Sequence, residues 1–101
     1  MNYISQMFDL VRSATFQRWL NGLADQRAFD RIVLRLGRVQ FGHMGDVKYF
    51  DGIGELRIDY GPGYRIYFTQ RGRTVIFLLC GGEKSSQSRD IARAKSLAQE
   101  I

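Results

Sequence analysis

Two alternating stretches around a short turn constrain the fold of this chain more than any other feature. In "ELRIDYGPGYRIYF" (55–68), apolar and polar residues alternate on both sides of a GPG sequence. A period of two is typical of β-strands with one buried face, and GPG is a turn signal. The next stretch, "TVIFLLC" (74–80), is apolar on both faces, which favours a central or helix-covered strand. The sequence therefore predicts a hairpin followed by a third strand.

Helical spacing governs most of the remaining chain. Apolar residues recur every three or four positions over about 15–23 and 25–41, and both segments are predicted helices. A third helix is predicted from about Gln87, with Ser85 or Ser86 as its N-cap. The predicted inward side of the second helix comprises Phe29, Ile32, Val33 and Leu36.

These elements predict one α+β domain over residues 1–101. With "YISQMF" (3–8) as an edge strand, the order is β-α-α-β-β-β-α, and about four or five strands form an antiparallel or mixed sheet. We expect the two N-terminal helices and the C-terminal helix to pack on one face of it. No apolar run approaches about 18 residues and no segment resembles a secretory signal, so we expect a cytoplasmic protein without a membrane partner.

The net charge of +5 is unevenly distributed along the chain. Residues 57–95 contain eight Lys and Arg residues against three acidic ones, which accounts for the whole excess. A one-sided basic charge favours a polyanionic partner, nucleic acid above all.

Three basic residues are predicted to meet at one end of the sheet. If the GPG turn sets Tyr60 opposite Tyr64, then Arg57 and Arg65 become diagonal neighbours on the solvent face. Lys84 follows the last strand, beside a helix N-terminus whose free N–H groups favour phosphate. The spacing therefore predicts an anion site, and the neighbouring Gly81 and Gly82 are expected to leave room for the anion.

Other interpretations fit the same residues. Arg57 and Arg65 are compatible with surface ion pairs to Glu55 and Asp59, and Lys84 with a solvated turn. The second helix carries a ridge of arginines that is either a solvated face or a docking surface for RNA or an acidic partner, namely Arg27, Arg31, Arg35 and Arg38.

One histidine and one cysteine leave little scope for metal chemistry. His43 is predicted to be a loop residue without a catalytic role, and Cys80 a buried, inert thiol. The segment "CGGEKS" lacks the glycine spacing of a phosphate-binding P-loop. We therefore expect no metal and no cofactor.

Three segments that follow the two helices resemble a known family. They are "GDVKYF" (45–50), "ELRIDYGPGYRIYF" (55–68) and "LLCGGEKSSQSRDIARAKSLA" (78–98). The chain resembles the RelE/ParE toxin superfamily, and within it the HigB-like, phage-related addiction module killer proteins. The resemblance covers nearly the whole chain from about residue 15. It implies a RelE-like fold and the toxin of a type II toxin–antitoxin pair.

The resemblance also implies site residues. The family's basic strand residue falls on Arg57, the arginine of its G-Y-R motif on Arg65, and the basic residue after its last strand on Lys84. These three are the implied catalytic residues, and Lys48 in "GDVK" is a further candidate. A tyrosine typical of RelE proteins is absent from "SSQSRDI". The candidate replacements in catalysis or RNA binding are Tyr67, Arg89 and Asp90.

RelE-like and HigB-like members cleave mRNA on the ribosome, whereas ParE-like members inhibit DNA gyrase. The resemblance implies the first activity, a metal-independent endoribonuclease, with gyrase inhibition as the alternative and an inactive antitoxin-binding corepressor as a third. The implied partners are the ribosome and mRNA, a helix-turn-helix HigA-like antitoxin, and operator DNA only through the toxin–antitoxin complex. The arginine ridge of the second helix is then expected to dock on ribosomal RNA.

Overall fold

Within residues 7–101, which a computed structural model describes, five strands combine with three α-helices. In chain order the elements are β1 (Asp9–Arg12), α1 (Ala14–Asn21), α2 (Gln26–Gln40), β2 (Val47–Phe50), β3 (Ile53–Ile58), β4 (Tyr64–Arg71), β5 (Val75–Glu83), a 3-10 turn (Lys84–Ser86) and α3 (Gln87–Ala98). The predicted α+β class is confirmed, with one strand more than the predicted order because Val47–Phe50 pairs with β3.

The five strands form one mixed sheet in the order β1-β5-β4-β3-β2. Strands β2 to β5 form an antiparallel meander, and β1 joins β5 in parallel at the edge. Most of the edge strand predicted at residues 3–8 lies outside the described residues. Met7 and Phe8 are described but precede the strand, which begins at Asp9.

Side-chain caps explain where the first two helices begin. The Ser13 hydroxyl accepts a hydrogen bond from the N–H of Phe16 at 2.9 Å, and the Asp25 carboxylate accepts one from the N–H of Arg27 at 2.9 Å. Such caps satisfy backbone donors that have no partner inside the helix. The observed ranges of α1 and α2 confirm both helices that the apolar spacing predicted.

The buried side of α2 differs from the prediction at one position. Ile32 and Leu36 are buried as expected, together with Ala28 and Val39. Val33 is 39% exposed, so its predicted inward orientation is wrong. The physical reason is that the buried stripe of the helix consists of residues three or four positions apart, at 28, 32, 36 and 39, and Val33 lies outside that stripe.

The helices cover both faces of the sheet, which corrects the prediction of a single covered face. Residues of α1 and α2 pack with one side of β3, β4 and β5 in the larger core cluster. Helix α3 packs on the opposite side, where Ala94 and Ala98 lie against Tyr67 and Leu79. No helix in the described part of the chain is long and apolar enough to cross a membrane.

Candidate functional site

A cleft of about 400 Å³ lies at the end of the sheet where β3 leads into β4 and β5 leads into α3. The structure brings all three implied catalytic residues, Arg57, Arg65 and Lys84, into its lining. Two carboxylates that the sequence analysis did not single out for the site, Asp46 and Asp59, line the same cleft. The cleft therefore combines three cations with two proton acceptors.

The register of the hairpin differs from the predicted one. Arg57 pairs directly with Arg65, and Ile58 pairs with Tyr64. The connection thus spans residues 59–63 rather than GPG alone, and the two arginines are opposite instead of diagonal. Like charges at directly opposite positions repel, so the site needs groups that offset the repulsion.

Buried Glu55 supplies the counter-charge for Arg57. Its carboxylate accepts hydrogen bonds from the Arg57 Nε at 3.0 Å, the Tyr67 hydroxyl at 2.9 Å and the Gln87 side-chain amide at 2.9 Å. Burial alone would raise the pKa of Glu55, but hydrogen bonds from Gln87, Arg57 and Tyr67 outweigh it and hold the pKa below its usual value. Glu55 is therefore ionised and holds the Arg57 guanidinium in place.

This ion pair matches one of the alternative interpretations of Arg57, although the carboxylate is fully buried rather than on a surface. The sequence analysis did not identify Glu55 as a site residue. The sequence does contain a signal for Glu55: it lies two residues before Arg57 on the same strand, so the two side chains are on the same face.

Arg65 and Lys84 have no acidic partner within ion-pair distance among residues 7–101. The Arg65 Nε is buried without a hydrogen-bond partner there, and its NH1 makes only long bonds of 3.3 Å to the carbonyls of Gly63 and Tyr64. A guanidinium stays protonated at all ordinary pH values. Neither positive charge is therefore held in an ion pair within that range, and both residues line the cleft.

A backbone hydrogen bond at Gly63 joins the hairpin turn to the start of the 3-10 turn. The Lys84 N–H donates a hydrogen bond to the Gly63 carbonyl at 2.8 Å. Gly63 has a φ of +79°, and a Cβ there would lie 3.3 Å from the Lys84 Cβ. Both the backbone conformation and the close approach favour glycine. The turn and the end of β5 consequently form one rigid wall of the cleft.

Tyr67 and Lys48 do not line the cleft. The alternating pattern of β4 places Tyr67 on the same face as Arg65, where a solvent-exposed side chain would be expected. Tyr67 is instead fully buried, because helix α3 covers it. Burial and the hydrogen bond to Glu55 raise the pKa of Tyr67 far above its usual value, which keeps the phenol protonated. Lys48 lies opposite Glu55 on β2, with its ammonium 5.1 Å from the centre of the Phe50 ring.

Arg89 and Asp90 line a separate pocket of about 470 Å³. Asp90 is buried and accepts a hydrogen bond from the Ser86 hydroxyl, whereas Arg89 is exposed on α3. Ser86 is the N-cap residue of α3, as predicted, but its hydroxyl bonds to Asp90 rather than to the first N–H groups of the helix.

Gly81 and Gly82 make room for side chains of the protein itself. A Cβ at Gly81 would overlap the Trp19 ring, and a Cβ at Gly82 would overlap the Asp90 carboxylate. Both glycines line the pocket of Arg89 and Asp90 rather than the cationic cleft, so they do not provide the predicted space for an anion beside the three basic residues of that cleft.

The predicted arginine ridge of α2 is not a continuous exposed surface. Arg35 is half-buried and donates to the carbonyls of Met44, Asp46 and Arg57, with distances of 2.6 Å to the last two. Desolvation by burial lowers the pKa of Arg35. Arg31 stacks on Tyr60, with its guanidinium carbon 4.6 Å from the ring centre. Arg35 thus supports the wall of the cleft that contains Asp46, while Arg27 and Arg38 remain exposed.

The chemistry of the cleft follows from its lining. Arginine and lysine side chains bind phosphate oxygens, and the carboxylates of Asp46 and Asp59 can accept a proton. Across the described range, no group of three or more His, Cys, Asp or Glu residues is arranged to hold a metal ion.

Fold and cleft together define a class of small, basic α+β proteins with an exposed cationic cleft. The chain is 51% identical over 88 residues to an uncharacterized protein of Haemophilus influenzae, a match that covers 86% of this chain and 89% of the relative. The chain belongs to the family of that protein. No family model matches the chain.

Proposed function

We propose that the chain is the toxin of a type II toxin–antitoxin module, a HigB-like member of the RelE/ParE superfamily that cleaves mRNA on the ribosome. The observation that carries the proposal is the cleft in which Arg57, Arg65 and Lys84 converge. The order of helices and strands and the mixed sheet are compatible with a RelE-like fold. The partners in this proposal are the ribosome, mRNA, and a HigA-like antitoxin that carries the complex to operator DNA in the cytoplasm.

The proposed reaction is an internal phosphate transfer. A carboxylate, Asp46 or Asp59, takes the proton of a ribose 2′-OH, and the 2′-oxygen attacks the adjacent phosphorus. Arg57 and Arg65 stabilise the added negative charge of the five-coordinate phosphorus. The bond to the 5′-oxygen then breaks, and that oxygen takes a proton from the Lys84 ammonium. The products are a 2′,3′-cyclic phosphate and a 5′-OH.

The second candidate is a ParE-like gyrase inhibitor without nuclease activity. The observation in its favour is that Tyr67, the tyrosine proposed to replace the one typical of RelE proteins, is buried and does not line the cleft. If the chain is a nuclease, proton transfer depends on Asp46 or Asp59 and on Lys84, and the ribosome must orient the substrate against them.

The test is brief expression of the chain in cells, followed by mapping of mRNA 5′ ends. We expect new ends inside translated frames, and an approximately 10²-fold loss of cleavage for Arg65→Ala and for Lys84→Ala, because each removes one stabilising group. Arg18→Ala is the matched control, since Arg18 is exposed on α1 and outside the cleft. Intact mRNA together with trapped gyrase–DNA complexes would favour the second candidate.

A further inference from the structure

An exposed apolar groove of about 610 Å³ runs along the outer side of α2. It shares no lining residue with the cationic cleft. Val33, Leu34 and Phe41 line it and are 39%, 58% and 54% exposed. Continuous exposed apolar patches mark interaction sites, whereas single exposed apolar residues do not. The remaining lining residues are Gly37, Arg38 and His43.

Gly37 creates a notch in this groove. The residue lies within α2, and a Cβ placed on it would meet no atom of residues 7–101 within 4 Å. Glycine destabilises a helix relative to alanine, so Gly37 weakens α2 without relieving any contact in the described part of the protein. Leu34 and Phe41 lie three and four residues away, on the same side of the helix. The glycine therefore leaves space between two apolar side chains for a side chain of a partner.

The margin of the groove is basic. Arg31 and Arg38 lie three residues before and four residues after Leu34, so they are its neighbours on the helix surface. Asp30 is the acidic residue within α2, and it already accepts a hydrogen bond from the Gln26 side chain at 2.9 Å. An acidic partner complements this margin. A second copy of the chain, with the same basic margin and a net charge of +5, is repelled.

We propose that the groove binds an amphipathic helix of a partner protein, with a large apolar side chain in the Gly37 notch and carboxylates facing Arg31 and Arg38. This is the helix-in-groove mode of recognition. Naming the partner as the cognate antitoxin rests on the proposed function, and it implies silencing that leaves the cationic cleft uncovered. The groove itself is formed by α2 and the residues that follow it, Phe41 and His43, whatever the identity of the partner.

To test the proposal, a synthetic helical peptide of about five turns, with leucines on one face and glutamates on the other, is added to the isotope-labelled full chain. We expect the largest NMR chemical-shift changes at the groove residues. Gly37→Leu, which fills the notch, and Leu34→Glu should each weaken binding at least about tenfold. A peptide with lysines in place of glutamates should bind at least about tenfold more weakly. Tyr49→Ala, an exposed aromatic residue on β2, is the control and should bind normally.

Several outcomes overturn the proposal. They are the absence of shifts in the groove, equal binding of the two peptides, and unchanged binding by Gly37→Leu, which should fold normally because the space is open. Concentration-dependent dimers that Leu34→Glu disperses would identify a second copy as the occupant and also overturn it.

The peptide titration and the mRNA mapping distinguish this inference from the proposed function. Peptide binding in the groove without mRNA cleavage in cells would support the groove and refute the nuclease. Cleavage in cells without peptide binding would support the nuclease and refute the groove.

Discussion

The two faces of the sheet are buried by different chemistry. Under α1 and α2 the side chains are apolar, with Phe16, Leu20 and Phe68 among the most buried. Under α3 the core is mixed, because Tyr67 and other polar residues are buried with the apolar ones. The buried polar and charged residues of the described chain are Glu55, Thr69 and Asp90.

We infer from this difference that the apolar face mainly stabilises the fold, whereas the polar face also positions side chains at the cleft. Apolar burial is strong but has no direction, so it holds the layers together without fixing one side chain. Hydrogen bonds are directional, and those of Glu55 fix Arg57 at the cleft. We therefore expect changes on the first face to alter stability alone. Changes on the second face should alter cleft function beyond any loss of stability.

The largest expected effect is that of Phe68→Ala on the apolar face. Phe68 is 1% exposed, and its removal should lower the free energy of unfolding by about 3–5 kcal/mol through lost burial and a cavity. Chemical denaturation measures the change. Activity per folded molecule should stay the same; a fall in that quantity would contradict the separation of the two faces.

On the polar face, Glu55→Ala should lower the free energy of unfolding by about 2–3 kcal/mol, because it leaves Arg57, Tyr67 and Gln87 without their acceptor. Cleavage per folded molecule should also fall about tenfold, because Arg57 loses its anchor. Unchanged cleavage by the folded fraction would remove Glu55 from the site.

The same carboxylate predicts an acid dependence of stability. The pKa of Glu55 is lower in the folded protein than the value of about 4.3 for an unfolded chain. Its contribution to stability is therefore fully present above that pH and is lost as the pH falls toward the folded pKa. Glu55→Gln should flatten this part of the pH profile in denaturation experiments. An equally steep profile in the variant would assign the acid dependence to other groups.

Substitutions at two adjacent glycines, Gly81 and Gly82, compare the two faces directly, because the glycines face opposite sides of the sheet. The expected effects on stability are smaller. Gly81→Ala pushes against Trp19 and Gly82→Ala against Asp90, and each should cost about 1–3 kcal/mol of stability. Only Gly82→Ala should also reduce cleavage, since α3 and the segment after β5 shift together. Equal losses of activity in the two variants would contradict this.

The smallest effect lies outside both buried faces. Gly37→Ala should raise the free energy of unfolding by about 0.5–1 kcal/mol, because alanine favours the helix and no atom in the described part of the chain obstructs its Cβ. Thermal unfolding measures the change as an increase of a few degrees. A decrease would show that the outer side of α2 packs against part of the chain.

The convergence of the three basic residues could be predicted from the sequence because it depends on local features. Arg57, Arg65 and Lys84 lie close to strand ends, and short connections bring those ends to the same edge of the sheet. The caps at Ser13 and Asp25 likewise belong to local patterns, so the helices were predictable within a few residues.

The burial of the second face could not be predicted in the same way. Glu55 and Tyr67 alternate with apolar residues, which is also the pattern of a solvated face, and only the packing of α3 distinguishes the two. Arg35 shares the spacing of an exposed ridge, but the 44–46 loop folds back to accept its hydrogen bonds. Contacts between distant segments decide both cases.

The parallel edge strand has a consequence for the order of folding. Strands β2 to β5 are joined by short turns, whereas Asp9 pairs with Val75 and Arg12 with Leu78, across most of the chain. Closing so long a loop costs more entropy than forming a hairpin, and such pairings form slowly. We therefore expect β1 to dock last on a preformed meander. Amide hydrogens of Leu10 to Ser13 should then exchange faster than those of β4, whose neighbours on both sides are antiparallel strands.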